Sequence, residues 1–276
     1  MPAPARPNEV FAPSRLKARR RKVRTYKTLV FTVFIFLLLS GLVGFFYIPQ
    51  LRVRDVSVTG TQTIDANGLE QIAHQELNGR AYLVLPKDNA FLYSEAKLRE
   101  VIMHAYPKVK TADIQLANFH TIKIQIGERT PAGLWCGETI DATSSCSYMD
   151  DSGAVYEPAP DYSGDAYVRW YGNLVGGTPL GGVYINGAFP SLSSLVAELE
   201  KEGLQTQKVQ VEKGGDVRVV YAGDFIMLFT LDQKPESLLT ALHAAESSDV
   251  FKDKKLTDLE YLDLRFLGNR LYYKMK

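Results

Sequence analysis

The sequence predicts an α+β protein: a single apolar helix near the N-terminus, then a small β-α-α-β-β module, then a larger β-rich domain with helices packed on a face. Three observations carry this prediction. Leu29–Ile48, LVFTVFIFLLLSGLVGFFYI, runs 20 residues without a charge. Residues 51–128 show strand-like and helix-like periodicity in the order β-α-α-β-β. From Thr130 onward the pattern shortens to brief strands between Gly- and Asp-rich turns such as DDSG.

The apolar run decides the first element. As a helix it spans roughly 30 Å, the thickness of a hydrocarbon core. It lacks the polar face that a core helix of this length would carry. It also exceeds the roughly 7–15 apolar residues of a signal peptide, and GFFYIPQLRV contains no small-x-small cleavage site. The expectation is an uncleaved transmembrane helix over 28–48. Charge supports it: residues 1–27 hold nine Arg and Lys against Glu9 alone, +8 of an overall +1, which leaves −7 for the remainder. Only Arg52 and Arg54 closely follow the run, so the positive-inside rule places the basic tail, 1–27, in the cytoplasm and the bulk of the chain outside it. The run RLKARRRKVR would also suit nucleic-acid phosphates. Its place directly against the span explains it through orientation and anionic lipid, and no nucleic-acid partner is expected.

In the module, Val53, Val56 and Val58 mark an opening strand that Gly60 stops. Ile64, Leu69, Ile72, Ala73 and Leu77 follow a helical period behind the capping candidate Asp65. A second helix is expected from Ser94 to Ala105 with Leu98, Val101 and Ile102 as its stripe, ending before Pro107. VKTADIQLA and TIKIQIGER then alternate as two strands around the turn NFH. A three-stranded sheet with both helices on one face is the expected packing for 51–128.

The second domain, 129–276, begins with short strands at GLWC, CSYMD, AVYEP and AYVRWYG. The Gly-rich segment GNLVGGTPLGG lacks the G-x-x-x-x-G-K-[ST] pattern and its strand-to-helix setting, and is read as a structural loop. A helix over 191–201, strands at TQKVQVE, DVRVVYA and FIMLFTL, and a helix over 235–245 precede a final alternating stretch, YLDLRFLGNRLYYK. There Leu262, Leu264 and Phe266 are expected on one face, with Tyr261, Asp263 and Arg265 on the other. Cys136 and Cys146 flank a polar loop; a disulfide, a pair of free thiols and a metal site are the options. An oxidising compartment and the spacing favour the disulfide, worth about 2–3 kcal/mol in the chain-entropy model, and two Cys without a spaced His or third Cys are poor zinc ligands.

The sequence contains no recognisable catalytic constellation. His74, His104, His120 and His243 form no H-E-x-x-H pair and none stands near a cysteine. Serine-nucleophile patterns are absent from the region after the span. Asp150 and Asp151 are adjacent, but DDSG is a turn signature, so a solvated turn is expected rather than an acid/base pair. No catalytic residue, cofactor, metal or small-molecule substrate is expected.

Taken in order, these elements resemble the bacterial cell-division FtsQ (DivIB) family, whose first exported module is of the polypeptide-transport-associated (POTRA) type. VRDVSVTG is similar to the family's opening strand, GERTPAGLW to its inter-domain junction, MDDSGAVY to the hairpin that follows, and LDLRFLGNRLYYK to its terminal Asp-Leu-Arg strand. Asn118, Phe119 and His120 stand where the family often has a Trp-Pro pair. The resemblance implies a non-enzymatic single-pass scaffold at the division septum of the bacterial cytoplasmic membrane. It further implies that the C-terminal strand and the helix beside it capture an FtsB/FtsL-like coiled-coil partner by strand addition. Carried over by position, that strand is Asp263, Leu264, Arg265, Phe266, Leu267, Gly268 and Asn269. On physical grounds an open edge strand there would use Phe266 and Tyr272 as aromatic anchors and Arg265 to pair with an acidic partner; the alternative is an interior strand that closes the sheet. The alternatives are a membrane-anchored cell-wall enzyme and a POTRA-type transport or assembly accessory; the latter usually repeats its module and continues into a barrel.

The disulfide reading predicts that unreduced protein, denatured and treated with a thiol reagent, gives no free thiol, and two after reduction.

Overall fold

The computed structural model describes residues 15–81, 84–140, 145–161, 166–177, 179–248, 250–251, 255–266 and 271–276. Helix α1 (Arg15–Phe46) is continuous over 32 residues. Its segment Arg21–Phe46 is long and apolar enough to cross a membrane, and none of its apolar window is buried in the protein. The helix begins well before residue 28, where the span was expected to start, so the second half of the basic tail is helical. Arg and Lys have good helix propensity, and propagation from an existing helix needs no new nucleus.

The elements of the module run strand, helix, short hairpin, helix, strand, strand. Strand β1 (Asp55–Thr59) buries Val56. Helix α2 (Ala66–Leu77) is capped by Asp65, whose carboxylate accepts from the N–H groups of Asn67 and Gly68, and it buries Leu69, Ala73 and Leu77. A small hairpin, β2 (Arg80–Ala81) with β3 (Leu85–Pro86), follows α2. Helix α3 (Glu95–Ala105) starts at Ser94, whose hydroxyl accepts from the Lys97 N–H at 3.2 Å. Strands β4 (Val109–Asn118) and β5 (Thr121–Glu128) pair antiparallel, and β1 runs parallel to β5, giving the order β1-β5-β4. Ile122, Ile124 and Ile126 point from β5 into a core with Leu69, Leu98 and Ile102. Each such side chain contributes roughly 1.5–3 kcal/mol on leaving water.

The second domain is built on one nine-stranded sheet. Its early strands are β6 (Gly133–Trp135), β7 (Ser147–Met149), β8 (Val155–Pro158) and β9 (Arg169–Tyr171). The Gly-rich segment folds as a second small hairpin, β10 (Leu174–Gly176) with β11 (Gly182–Tyr184), rather than as a plain loop. After α4 (Phe189–Lys201) come β12 (Thr206–Val211), β13 (Asp216–Tyr221) and β14 (Ile226–Thr230). Helix α5 (Pro235–Glu246) then leads to β15 (Leu259–Asp263) and β16 (Tyr272–Met275). The strand order is β16-β15-β14-β13-β12-β9-β6-β7-β8. Leu192, Leu195, Leu199, Leu238 and Leu242 of the two helices share one core with Val209, Val217, Val219, Met227 and Phe229 of the sheet. A disulfide joins Cys136 to Cys146 and ties the end of β6 to the start of β7.

The two units are joined through neighbouring residues of one motif. The Glu128 carboxylate turns back into the module and accepts from the N–H groups of Gln62, Thr63 and Ile64 and from the Thr63 hydroxyl, fixing the loop between β1 and α2. Burial pushes its pKa up, but these donors outweigh burial and hold it at about 2. Arg129 points forward and pairs with Asp150, whose side chain is 1% exposed, while its Nε donates to the Pro107 carbonyl at 2.9 Å. Asp150 also accepts from the Ser152 and Ala154 N–H groups and the Ser152 hydroxyl, shaping the turn between β7 and β8. Gly153 completes that turn at φ +86, where a Cβ would meet the Tyr184 carbonyl. The expectation that Asp150 is solvated is therefore corrected: it is buried, because the turn packs against the module. Burial raises its pKa, and the Ser152, Ala154 and Arg129 donors together hold it below the usual carboxylate range. Lys108–Glu157 and Lys110–Asp151, each 2.7 Å, flank this pair.

Arg129→Ala leaves a buried carboxylate without its cation and should destabilise the protein by about 3 kcal/mol in urea titrations. It should also speed hydrogen exchange at 150–154. Glu128→Gln should cost about 1–2 kcal/mol at pH 7. Because the folded-state pKa of Glu128 is depressed, its contribution is full above its ordinary value of 4.5 and lost as pH falls toward about 2. The gap between wild type and Glu128→Gln should close over that window, read as the difference in Tm against pH.

Candidate binding edge at the C-terminal strand

The stretch that reads as one terminal strand is two strands. β15 lies inside the sheet: it pairs parallel to β14 through Tyr261, Leu262 and Asp263, and antiparallel to β16. The alternation continues from Tyr261 to Arg265. Leu262 and Leu264 are buried in the helix-side core, whereas Tyr261 and Arg265 line the opposite face. It breaks at Phe266, which is 63% exposed because the chain has left the sheet by then. A register shift between Leu259 and Tyr261 lets Leu259 and Leu262, three apart, both reach the core.

The predicted contact residues therefore separate into distinct environments. Asp263 and Leu264 are interior, and the β15 backbone that was expected to stand open is occupied by β16. Leu267, Gly268 and Asn269 lie outside the described residues. Phe266 and Tyr272 remain on the surface, with ring centroids 6.3 Å apart and edge to face. Arg265 is not free for an acidic partner. Its Nε and Nη2 grip the Asp263 carboxylate, at 3.0 Å to Oδ1 and 2.8 Å to Oδ2, and its Nη1 reaches Asp216 at 2.7 Å. Burial raises the Asp263 pKa, but the bonds from Arg265 outweigh it and lower the value. The same two carboxylates raise the pKa of Arg265. Gln233 donates to the Leu264 carbonyl at 2.9 Å and holds the chain where it turns out of the sheet.

The available edge is β16. Among the described residues no strand lies beyond it. Tyr272 and Lys274 stand opposite Asp263 and Tyr261 on the open face. Tyr273 packs edge to face on Phe251, 5.0 Å between centroids, and Met275 packs on the core. The strand is anchored at its end by Lys276, which donates to the carbonyls of Thr257 and Gly223. Beside it on the open face is a depression of about 320 Å³ lined by Asp216, Arg218, Ile226, Leu228, Tyr261 and Arg265. This arrangement offers main-chain donors and acceptors for an extended segment, aromatic rims for its side chains, and a shallow half-apolar floor.

Sequence reasoning missed Tyr273 and Lys274 as edge positions, although YYK was visible as a strand end; the hairpin that carries them is set by pairing, not by pattern. Asp216 had no signal at all, since it lies 49 residues from Arg265. Among the described residues no group of three or more His, Cys, Asp or Glu converges as a metal site.

Arg265→Ala should destabilise the second domain by about 1–2 kcal/mol, reduced from a fully buried pair because the guanidinium is partly solvated. Phe266→Glu, at an exposed position, should stay within about 0.5 kcal/mol of wild type. Urea unfolding of both variants decides this. No family model matches the chain, and no curated protein matches it in sequence.

Proposed function

We propose that this chain is a membrane-anchored, non-enzymatic scaffold of cell division of the FtsQ/DivIB kind, with its module of the POTRA type. In this reading α1 anchors the protein in the bacterial cytoplasmic membrane, basic end inward, and both folded units face outward. It is recruited to the septum, where the second domain captures an extended segment of an FtsB/FtsL-like coiled-coil partner on β16. The observation that carries the reading is the edge of β16, four residues long and without a further strand among the described residues, which carries exposed Tyr272 and Tyr273 and has exposed Phe266 beside it. Edge strands with unpaired backbone groups are commonly protected by charge or cover. This one carries a single ion pair, Lys274–Glu260, and three aromatics of the kind enriched at binding hot spots.

The α1-to-module-to-sheet order supports the same reading, as does the junction built from Glu128 and Arg129. The contact on this chain shifts from residues 263–269, as the sequence resemblance placed it, to 272–275 with Phe266 at its side.

A photo-crosslinking scan in dividing cells tests this. Crosslinkers at 266 and 272–275 should capture a coiled-coil membrane partner, and crosslinkers at 155–158 on the opposite edge should not. Phe266→Glu combined with Tyr272→Glu should reduce partner pull-down at least about tenfold with Tm unchanged. Undiminished pull-down, or a fluorescent fusion spread evenly around the membrane of dividing cells, rejects the proposal.

A further inference from the structure

Among the described residues outside α1 and the terminal hairpin, the large exposed aromatic side chains gather in one other place. Phe91 is 58% exposed and Phe119 49%, with ring centroids 5.7 Å apart, and Phe91 lies 6.5 Å from Phe45 in the last turn of α1. Val84, 51% exposed, stands in the neighbouring β2–β3 hairpin. Three surface side chains from three separate connections of the module thus continue the apolar surface of the helix at the level where that helix ends.

The height of this patch is set by hydrogen bonds, not by a flexible tether. Asn89 is wholly buried; its Nδ2 donates to the Phe46 carbonyl at the helix terminus at 3.0 Å, and its Oδ1 accepts from the Phe91 N–H at 2.9 Å. The Tyr47 hydroxyl donates to the Val84 carbonyl. Ala90 N–H donates to the Leu51 carbonyl at 2.8 Å, Val53 N–H to the Asp88 carbonyl at 2.7 Å, and Arg52 Nε to Asp88 Oδ2 at 2.9 Å. One buried amide therefore links the last carbonyls of the apolar helix to the backbone of the exposed phenylalanine.

We propose that Val84, Phe91 and Phe119 form a foot seated in the interfacial layer of the membrane that α1 crosses, so that the module stands on the bilayer at fixed height and tilt. The inference rests on the reading of α1 as a membrane span. The occupant is lipid because the patch is continuous with α1, and because exposed apolar side chains such as Phe at the membrane surface bury at the boundary between headgroups and acyl chains. A soluble partner covering the patch would have to share that space with the membrane surface. The opposite end of the module, around His104 and Glu128, is displaced by the length of β5, roughly 25 Å at about 3.3 Å per residue.

The test uses the full chain reconstituted into phosphatidylethanolamine–phosphatidylglycerol vesicles containing lipid brominated near the top of the acyl chain. Phe91→Trp, Phe119→Trp and the control His104→Trp are compared after subtracting the signal of Trp135 and Trp170 from wild type. Tryptophan at 91 and at 119 should be quenched at least about threefold more than at 104. If the protein floats with the vesicles but 91 and 119 are quenched no more than 104, the foot is overturned while the span stands. If the protein does not float with the vesicles, the span fails and the foot with it. Conservative aromatic swaps at exposed positions leave the fold intact, which circular dichroism verifies.

Discussion

The pairing of Arg129 with the buried Asp150 is the constraint on which the arrangement of the two folded units depends. A carboxylate that is 1% exposed is costly to bury unless it is neutralised and fully hydrogen-bonded. Asp150 meets both conditions only when Arg129, held on the module by the Pro107 carbonyl, is in place and the turn at Ser152 and Ala154 is closed. The hairpin of the second domain and its docking on the first are thus coupled through one side chain. Glu128, next in the chain, performs the same service inside the module by gathering three consecutive N–H groups of the β1–α2 loop. Two adjacent charged residues pointing opposite ways make the connection a short rigid joint.

A second charged residue plays a comparable part at the far edge of the sheet. Arg265 closes over Asp263 and Asp216 and is itself near the Phe266 ring, 5.6 Å from guanidinium carbon to centroid. With its charge satisfied internally, it acts as a strut that fixes where the chain leaves β15 and so where β16 returns. The proposed binding edge is then defined by backbone geometry and by aromatic side chains. Specificity for a partner would come from the open-face residues Tyr272 and Lys274 and the floor beside Tyr261, more than from a salt bridge with Arg265.

The parts of the fold legible in the sequence are those set by local rules. Asp65 and Ser94 cap their helices as their positions before apolar-periodic stretches suggested. Ile122, Ile124 and Ile126 alternate into the core as period two requires. The short hairpins β2–β3 and β10–β11 were not legible, because strands of two or three residues carry no periodicity to detect. The helical continuation of α1 into residues 15–27 was hidden by composition: a basic segment alone does not fold, but one attached to a formed helix extends it.

For the candidate site the division is sharper. Alternation in YLDLRF placed Leu262, Leu264 and Phe266 on one face and Tyr261, Asp263 and Arg265 on the other. It holds as far as Arg265, since side-chain direction along an extended chain follows from covalent geometry, and fails at Phe266, where the chain has left the sheet. The sequence by itself determined the long apolar helix, the longer helices and strands, and the two faces of β15 as far as Arg265. Only the tertiary structure decided which strand is the edge, what Arg265 holds, and that Asp150 is buried. Those depend on partners such as Asp216, Arg129 and β16 that meet through long-range pairing, and a chain of side-chain identities contains no local record of which distant groups will share a hydrogen bond.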